Sequence, residues 1–227
     1  MERLVLFDID GTLVSCGRQV GEIFTAALTE AFGGYSIPEG FSFSGKTDPM
    51  IVTELVRELG YDDAEIQRRL PLMRDRYVDD LESRLDVKRM RLLPHVLELL
   101  ERLSRRDDVT LGLLTGNFQA GAWVKLSRFE LGRFFPFGAF GDDAADRRGL
   151  VPVAHERANA HARRFTPEET LIVGDTALDV DCAHHAGVPC LAVATGYTPA
   201  EDLRRAGADW VFDDLHQASQ RFDLFGA

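Results

Sequence analysis

Cysteine is scarce in this 227-residue chain: Cys16, Cys182 and Cys190 are the only three, widely spaced and without a C-x-x-C pair. That argues against a disulfide framework or a structural zinc site and suits a reducing compartment. Long apolar runs are missing as well, since none reaches the roughly 18 residues of a spanning helix. The opening Met1-Glu-Arg-Leu-Val-Leu-Phe-Asp places acids where a secretory signal would need its apolar segment, so the cytoplasm is the expected location. Positive charge is in deficit, with 26 Lys+Arg against 37 Asp+Glu and a net charge of -11. Such a balance speaks against nucleic-acid or anionic-membrane binding as the main activity, and neither partner is expected.

Apolar residues are plentiful at 45% and spread along the whole length. The chain can therefore bury a substantial core, as one domain or two modest ones. Short apolar runs recur at Leu4–Ile9, Leu111–Leu114, Phe137–Phe140, Leu171–Val173 and Cys190–Ala194, too short for helices and apolar on both faces. These read as buried parallel strands. Amphipathic stretches separate the later ones, with a start signal at Thr198-Pro199 and Glu201 and a stop signal at Gly187 and Pro189. The fold class is α/β, a doubly wound parallel sheet.

Residues 18–88 break the alternation. Val20, Ile23, Phe24, Ala27, Leu28, Ala31 and Phe32 step by three and four, and Pro49–Leu59 and Glu65–Leu85 are also helical. The expected organisation is an α/β core from residues 1–17 and 89–227, with a helical module of residues 18–88 inserted after the first strand.

Chemistry gathers at three strand ends. Asp8 and Asp10 in Asp8-Ile-Asp-Gly-Thr12 lie two apart, so an extended backbone points both carboxylates one way at the carboxyl end of the sheet, where ligands of open α/β sheets bind. Gly11 allows the turn that follows, and Thr12 adds a hydroxyl and an amide. A second run stops at Thr115-Gly116-Asn117, and a third at Gly174-Asp175 with Asp179 one helical turn on. An isolated Asp-x-Asp is commonly a solvated turn, but three polar or acidic strand ends together exceed what turn preference produces.

On these residues the sequence is identified as resembling the haloacid dehalogenase (HAD) superfamily of hydrolases, over nearly the whole chain, with a C1-type helical cap and closest in kind to phosphoglycolate phosphatases. Asp8 to Thr12 matches the first motif of that family, Thr115 the second, and Gly174-Asp175 through Asp179 the fourth. The resemblance implies a Rossmann-like core and a phosphatase acting on a small phosphorylated metabolite. It further implies Asp8 as nucleophile, Asp10 as general acid/base, and Mg²⁺ held by Asp8, by Asp10 through its backbone carbonyl, and by Asp175, with Asp179 in support. Thr115, with Gly11, Thr12, Gly116 and Asn117, would then hold the phosphoryl oxygens. A monomer or homodimer is expected.

The chemistry gives those roles independent sense. Phosphate-monoester hydrolysis is among the slowest uncatalysed reactions, and a carboxylate repels a phosphate dianion unless a cation intervenes. The third motif departs from the family pattern, because no lysine stands near the start of the helix that precedes the last motif: Lys46, Lys88 and Lys125 are the only ones. Arg147 is the favoured replacement, since the task is charge compensation, and Arg148 and Lys125 are the alternatives.

Gly40-Phe-Ser-Phe-Ser-Gly-Lys46-Thr47 satisfies the spacing of a phosphate-binding P-loop. The context fails, because Tyr35-Ser-Ile-Pro-Glu is turn-like rather than a strand and Asp48-Pro49 starts the helix too late. The segment reads better as a cap loop in which Lys46 and Thr47 reach the substrate while Phe41 and Phe43 pack the cap or line the pocket; a polar entry turn capped by Asp48 fits equally. Related chemistries remain open: a dehalogenase has no use for Asp10, a phosphonatase needs a Schiff-base lysine, a phosphomutase excludes water, and a phospholigand sensor has no need of a full acid set.

Overall fold

A computed structural model describes residues 2–34 and 37–226, so Tyr35 and Ser36 of the turn-like stretch before Gly40 lie outside the described residues. In chain order the elements begin with β1 (Arg3–Phe7), β2 (Val14–Ser15), α1 (Gln19–Phe32), α2 (Asp48–Arg57), α3 (Asp63–Arg84) and β3 (Arg91–Leu92). They continue with α4 (Val96–Leu103), β4 (Val109–Leu114), α5 (Gln119–Ser127), β5 (Gly138–Ala139), α6 (Leu150–His161) and β6 (Thr170–Gly174). The last five are α7 (Ala177–His185), β7 (Cys190–Val193), α8 (Ala200–Arg205), β8 (Trp210–Phe212) and α9 (Leu215–Gln220).

Six strands form one parallel sheet in the order β5-β4-β1-β6-β7-β8. Strand β1 is central, with Phe7 opposite Leu113 of β4 on one side and Val173 of β6 on the other. Alternate residues serve opposite faces: Val5, Phe7, Leu113 and Val173 enter one apolar cluster, while Leu4, Leu6, Leu114 and Ile172 enter another with α6 and α7. Burial on both faces explains why these strands are unbroken apolar runs. The chain builds outward from β1 through β4 to β5, then crosses back to β6. The carboxyl ends of β1, β4 and β6 therefore adjoin at the topological switch point.

Between β1 and β4 the chain leaves the sheet. Strands β2 and β3 pair antiparallel, Val14 opposite Leu92 and Ser15 opposite Arg91, and so tie together the outgoing and returning connections. Helices α1, α2 and α3 lie between them, with no strand among the described residues 19–90. Asp62 starts α3 by accepting the Glu65 N–H at 2.8 Å. Phe24 meets Tyr77 edge to face with ring centroids 5.2 Å apart, fastening α1 to α3.

Three local expectations are corrected. The sheet has a sixth strand, β8, which carries only three half-buried residues and too little periodicity to stand out. Helix α8 is not capped by Thr198: Pro199 is its N-cap, without a side-chain hydrogen bond, and the Pro199 carbonyl accepts from Asp202 and Leu203 N–H instead. Helix α2 is capped by Thr47, whose hydroxyl accepts the Met50 N–H at 3.3 Å, so Asp48 is the first helical residue rather than the cap.

Candidate active site

The loop leaving β1 is a tight backbone knot. The Ile9 carbonyl accepts from both Leu13 and Val14 N–H at 2.9 and 3.0 Å, and Gly11 N–H donates to Val14 at 2.9 Å. Gly11 has φ +81°, a conformation that disfavours a side chain, and a Cβ there would sit 2.3 Å from Asp175 Oδ2. A Cβ on Gly196 would come within 1.7 Å of the same oxygen. Asp175 thus lies in a cradle that only glycines leave open. Thr12 is fully buried, and its hydroxyl donates to Asp175 Oδ1 at 3.3 Å.

Asp8, Asp175 and Asp179 converge from the ends of β1 and β6 and the first turn of α7, with one oxygen of each within 4.8 Å of the others. Asp179 is already engaged on both oxygens. Oδ2 accepts from Thr176 N–H at 3.0 Å and Thr176 Oγ at 2.6 Å, and Oδ1 accepts from Arg147. Burial pushes Asp8 up to about 6, against the lowering pull of Arg147, and raises Asp175 with further help from Asp179 and Asp8. Buried carboxylates that raise one another in this way, with only oxygen donors present, form a set that a hard divalent cation fits.

Asp10 is half-exposed and its carboxylate turns elsewhere. Oδ2 accepts from Lys125 Nζ at 2.6 Å and from Asn117 Nδ2 at 2.9 Å. Asn117 also donates to Thr115 Oγ at 2.7 Å and accepts from Lys125. Lys125, on α5, is only 2% exposed. Burial opposes its charge, but Asp10, with Tyr77, Cys16 and Asp48, more than offsets it and holds the pKa above the ordinary lysine value.

The three cations considered from the sequence separate cleanly. Arg147 is buried, with Nη2 at 3.2 Å from Asp8 Oδ1 and at 3.3 Å from the Leu114 carbonyl, while Nη1 donates to the Gly45 carbonyl at 3.1 Å. Arg148 is at the surface and pairs with Asp181 at 2.7 Å. Lys125 stands on Asp10 rather than on Asp8. Two buried cations therefore serve the two acids of the first strand end.

The inserted helices close over this ground. Asp48 N–H donates to the Gly116 carbonyl at 2.7 Å, and Asp48 Oδ2 accepts the Phe118 N–H at 2.8 Å. A Cβ on Gly116 would lie 2.2 Å from the Lys46 carbonyl oxygen, so the two loops touch backbone to backbone. Lys46 lines the cavity but pairs with Glu54 and lies 4.5 Å over the Phe41 ring. Thr47 is fully buried, its hydroxyl used as the α2 cap. Phe41 and Phe43 both line the cavity and pack edge to face.

Between these parts lies a cavity of about 680 Å³, whose lining includes Asp8, Asp10, Gly11, Thr115, Asn117 and Asp175. Sequence reasoning missed Asp48 as a buried acid bridging the two halves, and Arg18, Arg91 and Tyr77 as wall residues. A charged residue next to a helix-starting proline was the available signal for Asp48. Arg18 and Arg91 lie in connections with no periodicity to mark them. Among the described residues, no helix is long and apolar enough to cross a membrane.

Comparison with known proteins places this geometry. The chain is 24% identical over 216 residues to pyrophosphatase PpaX of Oceanobacillus iheyensis, covering 94% of this chain and 93% of that protein. It is 26% identical to phosphoglycolate phosphatase of Pseudomonas putida, covering 95% and 78%. Among solved structures, a predicted phosphatase from Clostridium acetobutylicum superposes with a TM-score of 0.76 at 18% identity over 99% of both chains. A hydrolase from Pseudomonas syringae gives 0.72 at 21% identity over 100% of both. At these identities the structural likeness is one of fold. Residues 5–193 match the family model for haloacid dehalogenase-like hydrolases. With that span matched, the chain belongs to the haloacid dehalogenase-like hydrolase family.

Proposed function

We propose that this hydrolase is a Mg²⁺-dependent cytoplasmic phosphatase that cleaves a small phosphorylated metabolite through an aspartyl-phosphate on Asp8. The observation that carries the reading is the pairing of Asp8 with a second acid, Asp10, each beside its own buried cation, on the floor of one cavity. The oxygen-only donor set suits Mg²⁺, which Asp8, Asp175 and the Asp10 backbone carbonyl would hold. When bound, the ion supplies charge neutralisation between carboxylate and phosphoryl group and aligns them.

The chain's own residues do the rest. An Asp8 oxygen attacks phosphorus as the bond to the leaving oxygen breaks, and Asp10 gives that oxygen a proton. Asp10 then takes a proton from water, whose oxygen attacks the aspartyl-phosphate, releasing phosphate and restoring Asp8. Thr115, Asn117 and the backbone amides of Gly11, Thr12 and Gly116 hold the phosphoryl oxygens. Arg147 offsets the charge of Asp8 and is itself positioned by Asp179. Thr12 acts through its backbone, since its hydroxyl is given to Asp175.

Residues 18–88 act as the cap that stands over the site, with residues 1–17 and 89–227 as the catalytic core. Lys46 belongs to the cap wall. Its pairing with Glu54 occupies the ammonium group, which favours a phosphatase over a Schiff-base phosphonatase. A panel of phosphometabolites assayed with Mg²⁺ and with chelator tests the proposal. Phosphate release that needs the metal and disappears in Asp8→Asn is the expected result; an inert wild-type protein across the panel refutes it.

A further inference from the structure

Five basic side chains line the cavity among the described residues: Arg18, Lys46, Arg91, Lys125 and Arg147. Three are consumed within the protein, Lys46 by Glu54, Lys125 by Asp10 and Asn117, and Arg147 by Asp8 and Asp179. Arg18 and Arg91 are different. Both are exposed, and neither has a hydrogen-bond or ion-pair partner among the described residues. The nearby acid on α1, Glu22, is paired with Arg89.

The fold brings these two arginines to one place. Arg91 sits opposite Ser15 in the β2–β3 pair, and Arg18 follows Ser15 by three residues. Ser15, Cys16, Gly17 and Arg18 all line the cavity beside Arg91. In a chain of net charge -11, two guanidinium groups without a carboxylate partner on the lining of one cavity are free to take an anion from solution. Guanidinium forks suit carboxylate and phosphate. The phosphoryl group is already provided for at the strand ends, and a cavity of about 680 Å³ leaves space for much more than that group. The same lining also holds apolar and aromatic side chains, among them Val20, Phe24, Phe41 and Phe43.

We propose that the preferred substrate is a phosphomonoester whose leaving group carries a second anionic group, carboxylate or phosphate, bound by Arg18 and Arg91 on the linker wall of the cavity. This rests on the phosphatase reading and adds a specificity determinant to it. The arginines bind the leaving group rather than the reacting atoms, so their contribution appears as selectivity between esters.

The test uses linear phosphomonoesters of graded chain length in three matched forms, ending in carboxylate, in a second phosphate, or in a neutral amide, with p-nitrophenyl phosphate as reference. In wild-type protein, kcat/KM for at least one anionic form exceeds that of its amide by about tenfold or more, the size of one charge-assisted hydrogen bond. Arg18→Gln and Arg91→Gln each lower that ratio, and the double variant brings it near one. The carboxylate and bisphosphate arms show which anion is preferred. Hydrolysis of p-nitrophenyl phosphate with a ratio near one in wild type overturns this inference while leaving the phosphatase reading intact. If no ester is hydrolysed, that reading falls by itself, and calorimetric titration with the same diacids and amides decides the subsite: preferential diacid binding that the double variant loses supports it, and equal binding refutes it. Circular dichroism confirms that these exposed substitutions leave the fold in place.

Discussion

Arg147 Nη2 lies 3.2 Å from Asp8 Oδ1, and the same nitrogen reaches Asp179, so one guanidinium binds the proposed nucleophile to a residue in the first turn of α7. All three groups are buried. Replacing Arg147 by Met leaves two buried carboxylates without their counter-charge. We expect a loss of about 3–5 kcal/mol of stability in the metal-free protein, read by urea unfolding. Turnover should fall by about two orders of magnitude, with Arg147→Lys intermediate because it keeps charge but not the fork. An unfolding midpoint unchanged in Arg147→Met contradicts this assignment.

Asp8→Asn should abolish phosphate release while the fold persists. Burial holds the Asp8 carboxyl near 6 in the metal-free protein, above its usual 3.8. A carboxyl raised on folding contributes stability that is complete below the unfolded value and is lost as pH climbs through the folded one. Above that window the charged carboxylate is a burden that asparagine lacks. Thermal unfolding at pH 8 in chelator should therefore show a midpoint within a few degrees of wild type or higher. A collapse of the midpoint would mean that Asp8 is chiefly structural.

The glycine cradle around Asp175 bears on metal binding. Added Mg²⁺ should raise the thermal midpoint of wild-type protein in proportion to the logarithm of its concentration, because a ligand that binds the folded state alone stabilises it. Asp175→Asn should flatten that response and lose metal-dependent turnover. A full Mg²⁺ response in the variant places the ion elsewhere.

Asp48 offers a pH test away from the acid cluster. Burial pushes its carboxyl up to about 7, opposed by Lys125 and by the Phe118 N–H it accepts, while Asp10 and Asp142 add to the rise. The folded state thus holds a proton that the unfolded chain releases near 4, and stability from this residue declines as pH rises from about 4 to about 7. The slope is at most about 1.4 kcal/mol per pH unit. Asp48→Asn keeps an acceptor for Phe118 and removes the titration. Its unfolding free energy should vary less over that window than wild type, and identical slopes in chelated protein refute the assignment.

How much of this was legible beforehand follows from how far each signal reaches along the chain. Apolar runs such as Leu4–Phe7 and Leu111–Leu114 are local, and they marked the sheet because both faces of those strands are covered. Strand β8 was not visible, since a three-residue half-buried edge has neither run nor alternation. The acids Asp8, Asp10 and Asp175 stood out because each ends a strand. What each acid touches depends on residues more than a hundred positions away: Lys125 reaches Asp10 across 115 residues, and no spacing rule distinguishes it from a surface lysine. Arg147 and Arg148 are adjacent and chemically equal in sequence, and only the facing of one short helical turn buries the first and exposes the second.

The β2–β3 pair has a mechanical meaning. Val14, which pairs with Leu92, also forms the backbone bridge to Asp10, and Leu93 N–H donates to the Leu13 carbonyl at 3.0 Å. This two-rung pair joins the inserted helices to the core and is continuous with the loop that carries Asp10. On the proposed reading, movement of the cap would therefore be felt at Asp10, coupling release of product to displacement of the acid.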